Sequence, residues 1–101
     1  MNDIEKIKLA NQQAGQFFFS PDTMRFFRSR LSNEVERLPN GGALFITSEQ
    51  NHGMGGPYPR LFTIRMAKPD GDVDTVGEFQ AFNSRASAIR VMRKLAEWCR
   101  S

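Results

Sequence analysis

The stretch that decides the fold is RLFTIRMAKPDGDVDTVGEFQAF, residues 60–82. In its first part, Phe62, Ile64 and Met66 alternate with residues that would point to the opposite face of a strand. Its last ten residues alternate in the same way. This pattern is typical of two β-strands whose two faces meet different environments.

The five residues between the two alternating runs have the composition of a tight turn. Pro69 presets φ, Asp70 can bond its own backbone, and Gly71 accepts a positive φ. Residues 60–68 and 73–82 are therefore predicted to pair as an antiparallel hairpin.

A third strand is predicted before the hairpin and a helix after it. Residues 43–48 are apolar and rich in β-forming side chains, and residues 49–59, with three glycines and two prolines, are predicted to form a connecting loop. Residues 84–99 carry apolar side chains at helical spacing, namely Ala88, Ile89, Met92, Leu95, Ala96 and Cys99. This stripe predicts a helix over one face of the sheet, with Cys99 buried as a small hydrophobic residue.

Another helix is predicted before the first strand. Ser20 fits as its N-cap and Pro21 as its first residue. The helix is predicted to run to about Leu31 and to continue less regularly towards Arg37. Three residues spaced three and four positions apart would form its core stripe: Met24, Phe27 and Leu31.

The first 16 residues are predicted to be weakly structured, with a short helix over residues 4–14 that Gly15 ends. The predicted element order is therefore α-α-β-β-β-α. We predict a single α+β domain over residues 1–101, in which a three-stranded antiparallel meander packs against helices.

Composition excludes several classes of protein. No apolar run among the 101 residues approaches the roughly 18 that a membrane span needs, and the N-terminus lacks the residue order of a secretory signal. The one cysteine excludes an internal disulfide and a multi-cysteine metal site, so a cytoplasmic location without membrane contact is predicted. The net charge of +3 permits contact with nucleic acid without requiring it.

The residue types of catalytic sites give little support for an enzyme. His52 is the one histidine and lies in the glycine-rich loop, where we interpret it as an exposed residue without chemistry. Cys99 lies at the C-terminal end of a predicted helix, where the helix dipole disfavours a thiolate.

Two further motifs have the composition of ligand sites and are interpreted as structural. Residues 53–56, Gly-Met-Gly-Gly, lead into a proline and a strand, whereas phosphate-binding loops lead into a helix. Asp70, Asp72 and Asp74 alternate through the hairpin turn without the further oxygen ligands of a calcium loop. No metal site and no cofactor are predicted.

Surfaces suited to partner binding are more prominent. Basic residues lie on two predicted helices, and they would form one positive patch if both helices covered the same side. The alternative is that they form the solvated faces of two amphipathic helices. The predicted partner-binding residues, including two in the loop, are Arg25, Arg28, Arg90, Arg93, Lys94, Met54 and Tyr58. The three adjacent rings of residues 17–19 cannot all face one core, so one or two of them would also be available to a partner.

Three segments carry a resemblance to known proteins: FFSPDTMRFFRSR (18–30), GALFITSEQ (42–50) and DVDTVGEFQAF (72–82). Together they resemble a group of small, mostly uncharacterised proteins encoded by bacteriophages, plasmids and other mobile elements. The resemblance implies such a source and a compact fold, and it brings no catalytic residues. Small phage proteins of this kind are often similar to inhibitors of host defence, including anti-CRISPR proteins.

The leading hypothesis is a non-enzymatic phage or mobile-element protein in the bacterial cytoplasm. It would bind a host protein or protein–nucleic acid complex and inhibit or modulate it, with a host-defence system such as CRISPR as the most concrete target. The alternative is a small basic accessory protein that binds nucleic acid. An enzyme ranks third, because one histidine and one cysteine leave few ways to assemble a catalytic set.

Overall fold

The computed structural model describes residues 2–26 and 28–101. Within these residues the helices are α1 (Asp3–Gln13), α2 (Pro21–Phe26) and α3 (Arg85–Arg100), and the strands are β1 (Arg30–Arg37), β2 (Ala43–Gln50), β3 (Arg60–Ala67) and β4 (Val73–Val76). The strands form one antiparallel meander in chain order. The α+β class is confirmed, but this described part of the chain has four strands where three were predicted.

The predicted hairpin is present as β3 and β4. At its turn the Lys68 N–H donates to the Asp72 carbonyl at 2.8 Å, and Gly71 adopts a φ of 97°. Strand β4 is shorter than predicted, because the chain turns away at Gly77, which has a φ of 75°. It returns at Phe82, which exchanges two backbone hydrogen bonds with β3.

Gly71 brings the hairpin turn against α1. A Cβ atom at this position would lie 2.3 Å from the Ala10 carbonyl oxygen, and the positive φ already disfavours any L side chain. We expect Gly71→Ala to lower the free energy of unfolding by about 2 kcal/mol or more, measured by urea denaturation. The control Gly77→Ala has a similar φ and no atom within 4 Å of the new Cβ, so it isolates the backbone strain. Equal losses in the two variants would contradict a contribution from the contact with α1.

Strand β1 occupies residues that were predicted to continue the second helix. Helix α2 ends at Phe26, and Arg28 adopts a φ of 51° that no helix can continue through. Leu31 then pairs with β2. The predicted extension of the helix to Leu31 and towards Arg37 is therefore wrong, because pairing along β2 outweighs local helix propensity. Phe27, from the predicted core stripe, lies outside the described residues.

Helices cover both faces of the sheet, and β2 is consequently buried on both sides from Ala43 to Glu49. The side chains on the α3 side form the main apolar core with Leu38, Leu44, Ile46, Ile64, Ala88, Met92 and Ala96. On the other side the ring of Phe45 meets those of Phe18 and Phe19. Helix α1 also lies on this second side, where Asn11 Nδ2 donates to the carbonyl of the β3–β4 turn at 2.8 Å.

The predicted C-terminal helix is confirmed as α3. Ser84 is its N-cap and accepts a hydrogen bond from the Ser87 N–H. The predicted burial of Cys99 is wrong, because the side chain is exposed in the last turn. Arg100 attaches that turn to the edge of the sheet by donating to the Arg37 carbonyl, which leaves Cys99 and the 77% exposed Trp98 on the outside.

Candidate anion-binding groove

Arginine side chains surround two adjoining cavities at one end of the sheet. They come from α2, from the residues that follow it, and from the first residues of β1, β3 and α3. We call this surface the arginine groove and define it by Arg25, Arg28, Arg30, Arg60 and Arg85. Its larger cavity has a volume of about 570 Å³ and its smaller cavity about 280 Å³, and both are lined by Arg30 and Arg60.

The antiparallel register brings Arg30 and Arg60 together across β2. Arg30 pairs with Ser48, and Arg60 pairs with Gln50 two residues further along the same strand. Side chains two residues apart on a strand share a face, so both arginines lie on the face that carries α3. Arg85, at the start of α3, completes the lining of the smaller cavity.

Arg60 connects the parts of the groove. Its Nη1 donates to the carbonyl oxygens of Arg28 and Ser48, both at 2.9 Å, and to Ser48 Oγ at 3.1 Å. Its Nε and Nη2 groups make no hydrogen bond with the described residues. Burial and the positive charge of Arg30 lower the pKa of Arg60, and the negative charge of Glu49 offsets part of this effect.

Two of the groove arginines have acidic partners. Arg25 lies 2.8 Å from Asp22 on the same short helix, and both side chains are largely exposed. Arg85 bonds to Glu34 on β1, and this hydrogen bond holds the pKa of the Glu34 carboxyl below its ordinary value. The charges of these two arginines are therefore balanced by neighbouring carboxylates.

The charges of the other three groove arginines are not balanced in this way. Within residues 2–26 and 28–101, no carboxylate oxygen lies within 4.0 Å of Arg28, Arg30 or Arg60. A bound anion would offset the repulsion among the three guanidinium groups. Because a guanidinium presents a fork of donors that matches phosphate and carboxylate oxygens, the groove is chemically suited to an anion.

The structure divides the predicted partner-binding arginines between two surfaces. Arg25 and Arg28 line the arginine groove. Arg90, Arg93 and Lys94 are exposed on the outer side of α3, where they line a different cavity of about 580 Å³. The two groups of basic residues therefore line separate cavities.

The predicted loop residues lie beside the groove and do not line its cavities. Tyr58 Oη donates to the Met54 carbonyl at 2.7 Å, and Met54 itself is 98% exposed. Gln50, which lines the larger cavity, donates to the Tyr58 carbonyl at 2.8 Å. His52 Nε2 lies 3.1 Å from the Phe26 carbonyl oxygen at the end of α2. The loop is thus attached to the end of α2 and to Gln50 of the larger cavity.

The remaining acidic and nucleophilic candidates form no second site. Asp74 binds Lys68 Nζ at 2.7 Å, and Asp72 lies 4.0 Å from the same nitrogen. Among the residues with described positions, no group of three His, Cys, Asp or Glu side chains is arranged to hold a metal ion. A search of the same residues also finds no helix with the length and hydropathy needed to cross a membrane.

A polar network that sequence reasoning missed lies on the opposite face of the sheet. Glu49 is 1% exposed, and its Oε1 accepts hydrogen bonds from Thr47 Oγ1 at 2.7 Å and from Arg65 Nη2 at 3.0 Å. Its Oε2 accepts from Thr63 Oγ1 at 3.1 Å. The carboxylate is therefore satisfied entirely by side chains of the sheet.

Arg65 is held on both sides by aromatic rings. Its guanidinium carbon lies 5.3 Å from the ring centroids of both Phe18 and Phe79. These residues line a cavity of about 330 Å³ next to α2. Because Glu49 already balances the charge of Arg65, this network stabilises the fold, and the arginine groove is the stronger candidate for an anionic ligand.

Comparison with known proteins gives one match. The profile of a family of unknown function, DUF7447, matches residues 3–93. That range contains every residue of the arginine groove and most of α3. No curated protein and no solved structure matches the chain significantly.

Proposed function

Because the chain belongs to the DUF7447 family, whose function is unknown, we propose a function from the arginine groove itself: the protein binds the phosphate groups of a nucleic acid without catalysing a reaction. The observation that carries the proposal is the convergence of Arg28, Arg30 and Arg60 on two adjoining cavities, with no carboxylate oxygen of the described residues within 4.0 Å of any of them. Arginine contacts to phosphate supply much of the affinity of nucleic-acid-binding proteins.

The shape of the groove favours a chain of anions over a single ion. The two cavities share Arg30 and Arg60, while Arg28 lies only at the larger one and Arg85 only at the smaller. The positive charge therefore extends across the end of the sheet. A polynucleotide presents phosphates along its length and can contact several of these guanidinium groups at once.

A protein partner is the second candidate, favoured by large exposed side chains. Phe17 is 75% exposed and Trp98 is 77% exposed, and aromatic residues with arginines often supply most of the binding energy at protein interfaces. The α3 residues Arg90, Arg93 and Lys94 belong to this candidate surface. A mobile-element source and a host-defence target remain part of this second proposal, and their support is the sequence resemblance alone.

The salt dependence of binding tests the first proposal. We expect a labelled single-stranded oligonucleotide to bind with an association constant that falls as salt rises from about 50 to about 200 mM, followed by fluorescence anisotropy. If Arg28, Arg30 and Arg60 each neutralise one phosphate, a plot of log association constant against log salt should have a slope of about −2. A poly-glutamate peptide of equal charge is the control. Absence of oligonucleotide binding, or equally tight binding of the peptide, contradicts the proposal.

A further inference from the structure

The smaller cavity of the arginine groove offers more than positive charge. Phe62 is a half-buried aromatic residue in its lining, with the fully buried Ile46 beneath. Asn33 adds an exposed amide that can both donate and accept hydrogen bonds. Apolar surface, an amide and two unbalanced arginines, Arg30 and Arg60, therefore surround one space.

The cavity lies where β1 departs from regular pairing with β2. Leu31 pairs with Thr47 and Val35 pairs with Phe45, so four steps along β1 match two steps along β2. The extra residues leave the ladder as a bulge, and Asn33 lies in the middle of it. Bulges redirect side chains in this way and are frequent next to functional sites.

The carboxylate paired with the cavity residue Arg85 is already engaged. Glu34 binds Arg85 and accepts a hydrogen bond from the Ser32 hydroxyl. Arg60, in contrast, retains Nε and Nη2 donors that no described residue uses. A phosphate can therefore approach Arg30 and Arg60 without displacing an internal ion pair.

From these observations, and resting on the nucleic-acid function proposed above, we infer that the groove binds single-stranded nucleic acid and that the smaller cavity holds one unstacked nucleobase. The volume of about 280 Å³ is close to the lower end of the range for small-ligand sites, roughly 300–1,000 Å³. Phe62 supplies a surface for stacking, Asn33 bonds the edge of the base, and the arginines hold the adjacent phosphates. A duplex keeps its bases paired and stacked, so it cannot fill the cavity.

The test compares three ligands with equal numbers of phosphates: an oligothymidylate of about eight nucleotides, an abasic strand and a duplex. We expect the oligothymidylate to bind about tenfold more tightly than the other two at the same salt concentration. The variant Asn33→Leu keeps a similar side-chain volume, removes the amide and adds neither a charge nor an aromatic ring, so it should weaken oligothymidylate binding about fivefold while leaving abasic binding unchanged. The control is Asn40→Leu, in the exposed turn at the other end of the sheet. It removes the hydrogen bond that Asn40 Oδ1 accepts from the Gly42 N–H, but it lies away from the groove and should bind like the wild type.

The outcomes separate this inference from the function on which it rests. Equal affinity for oligothymidylate and the abasic strand, with the salt slope of about −2 retained, would overturn the nucleobase site and leave the nucleic-acid function standing. Loss of affinity for both strands in Asn33→Leu would also overturn it, provided that thermal melting shows the variant folded. Failure of every oligonucleotide to bind the wild type would overturn both proposals.

Discussion

Replacement of Glu49 by alanine should lower the free energy of unfolding by about 3–5 kcal/mol, measured by urea or thermal denaturation at neutral pH. The carboxylate is the counter-charge of Arg65, whose side chain is only 12% exposed. Without it, a positive charge would remain between two aromatic rings with little access to water. The Thr63 hydroxyl would also lose its acceptor.

A double variant distinguishes the ion pair from simple loss of packing. Glu49→Leu with Arg65→Met removes both charges and retains most of the volume, so it should recover a large part of the stability lost in Glu49→Ala. If the single and double variants lose the same free energy, the loss comes from packing. A loss below about 1 kcal/mol in Glu49→Ala would contradict the structural role of the network.

The parts of the fold predicted correctly from the sequence are those that local chemistry specifies. The β3–β4 turn depends on Gly71 and its neighbours within five residues, and α3 depends on an apolar stripe and on Ser84 as its N-cap. These signals depend on residues that are close together in the sequence. The alternation of Phe62 and Ile64 likewise identified β3. The other face of this strand is also covered, since Thr63 is buried.

The parts predicted wrongly depend on contacts between distant segments. Residues 30–37 have no regular alternation, because the bulge between Leu31 and Val35 shifts the faces of the strand. Glu49 and Arg65 have the composition of a solvent-exposed face, yet α2 and the rings of Phe18 and Phe79 cover it. The ion pair between Glu49 and Arg65 compensates the cost of burying the two charges. Because its partners are far apart in the chain, no local sequence pattern predicts it.

Only part of the candidate site was predicted, again because some of its residues meet through contacts between distant segments. Arg25 and Arg28 are neighbours in sequence and were selected together, and both line the arginine groove. Arg30 and Arg60 are far apart in the chain and meet only through the register of β1 and β3 with β2. Arg60 began a predicted strand and carried no signal of its own.

Reversal of charge at two exposed groove positions that have no ion-pair partner among the described residues, Arg28→Glu with Arg30→Glu, should weaken binding of single-stranded DNA about 100-fold or more. Each substitution removes a charge-assisted hydrogen bond to phosphate, worth about 1.5–3 kcal/mol, and adds repulsion. Both side chains are exposed, and neither forms a hydrogen bond with described residues, so the fold should be retained. Arg60 is kept intact because it bonds the Arg28 and Ser48 carbonyls.

The matched control for this variant is Arg90→Glu with Lys94→Glu, which makes the same change in net charge on the outer side of α3. These residues are exposed and line a different cavity, so a phosphate chain held in the arginine groove should not contact them. Long-range attraction alone would weaken binding similarly in both variants, and more so at low salt, because net charge acts on any polyanion. If the groove contacts the phosphates directly, only the first variant should show a large loss, and the magnitude of its salt slope should fall by about 1.4, because two of the three phosphate contacts are removed. Equal losses would indicate long-range attraction to the net charge, and a larger loss in the α3 variant would place the phosphate-binding surface on α3; either result would contradict binding in the arginine groove.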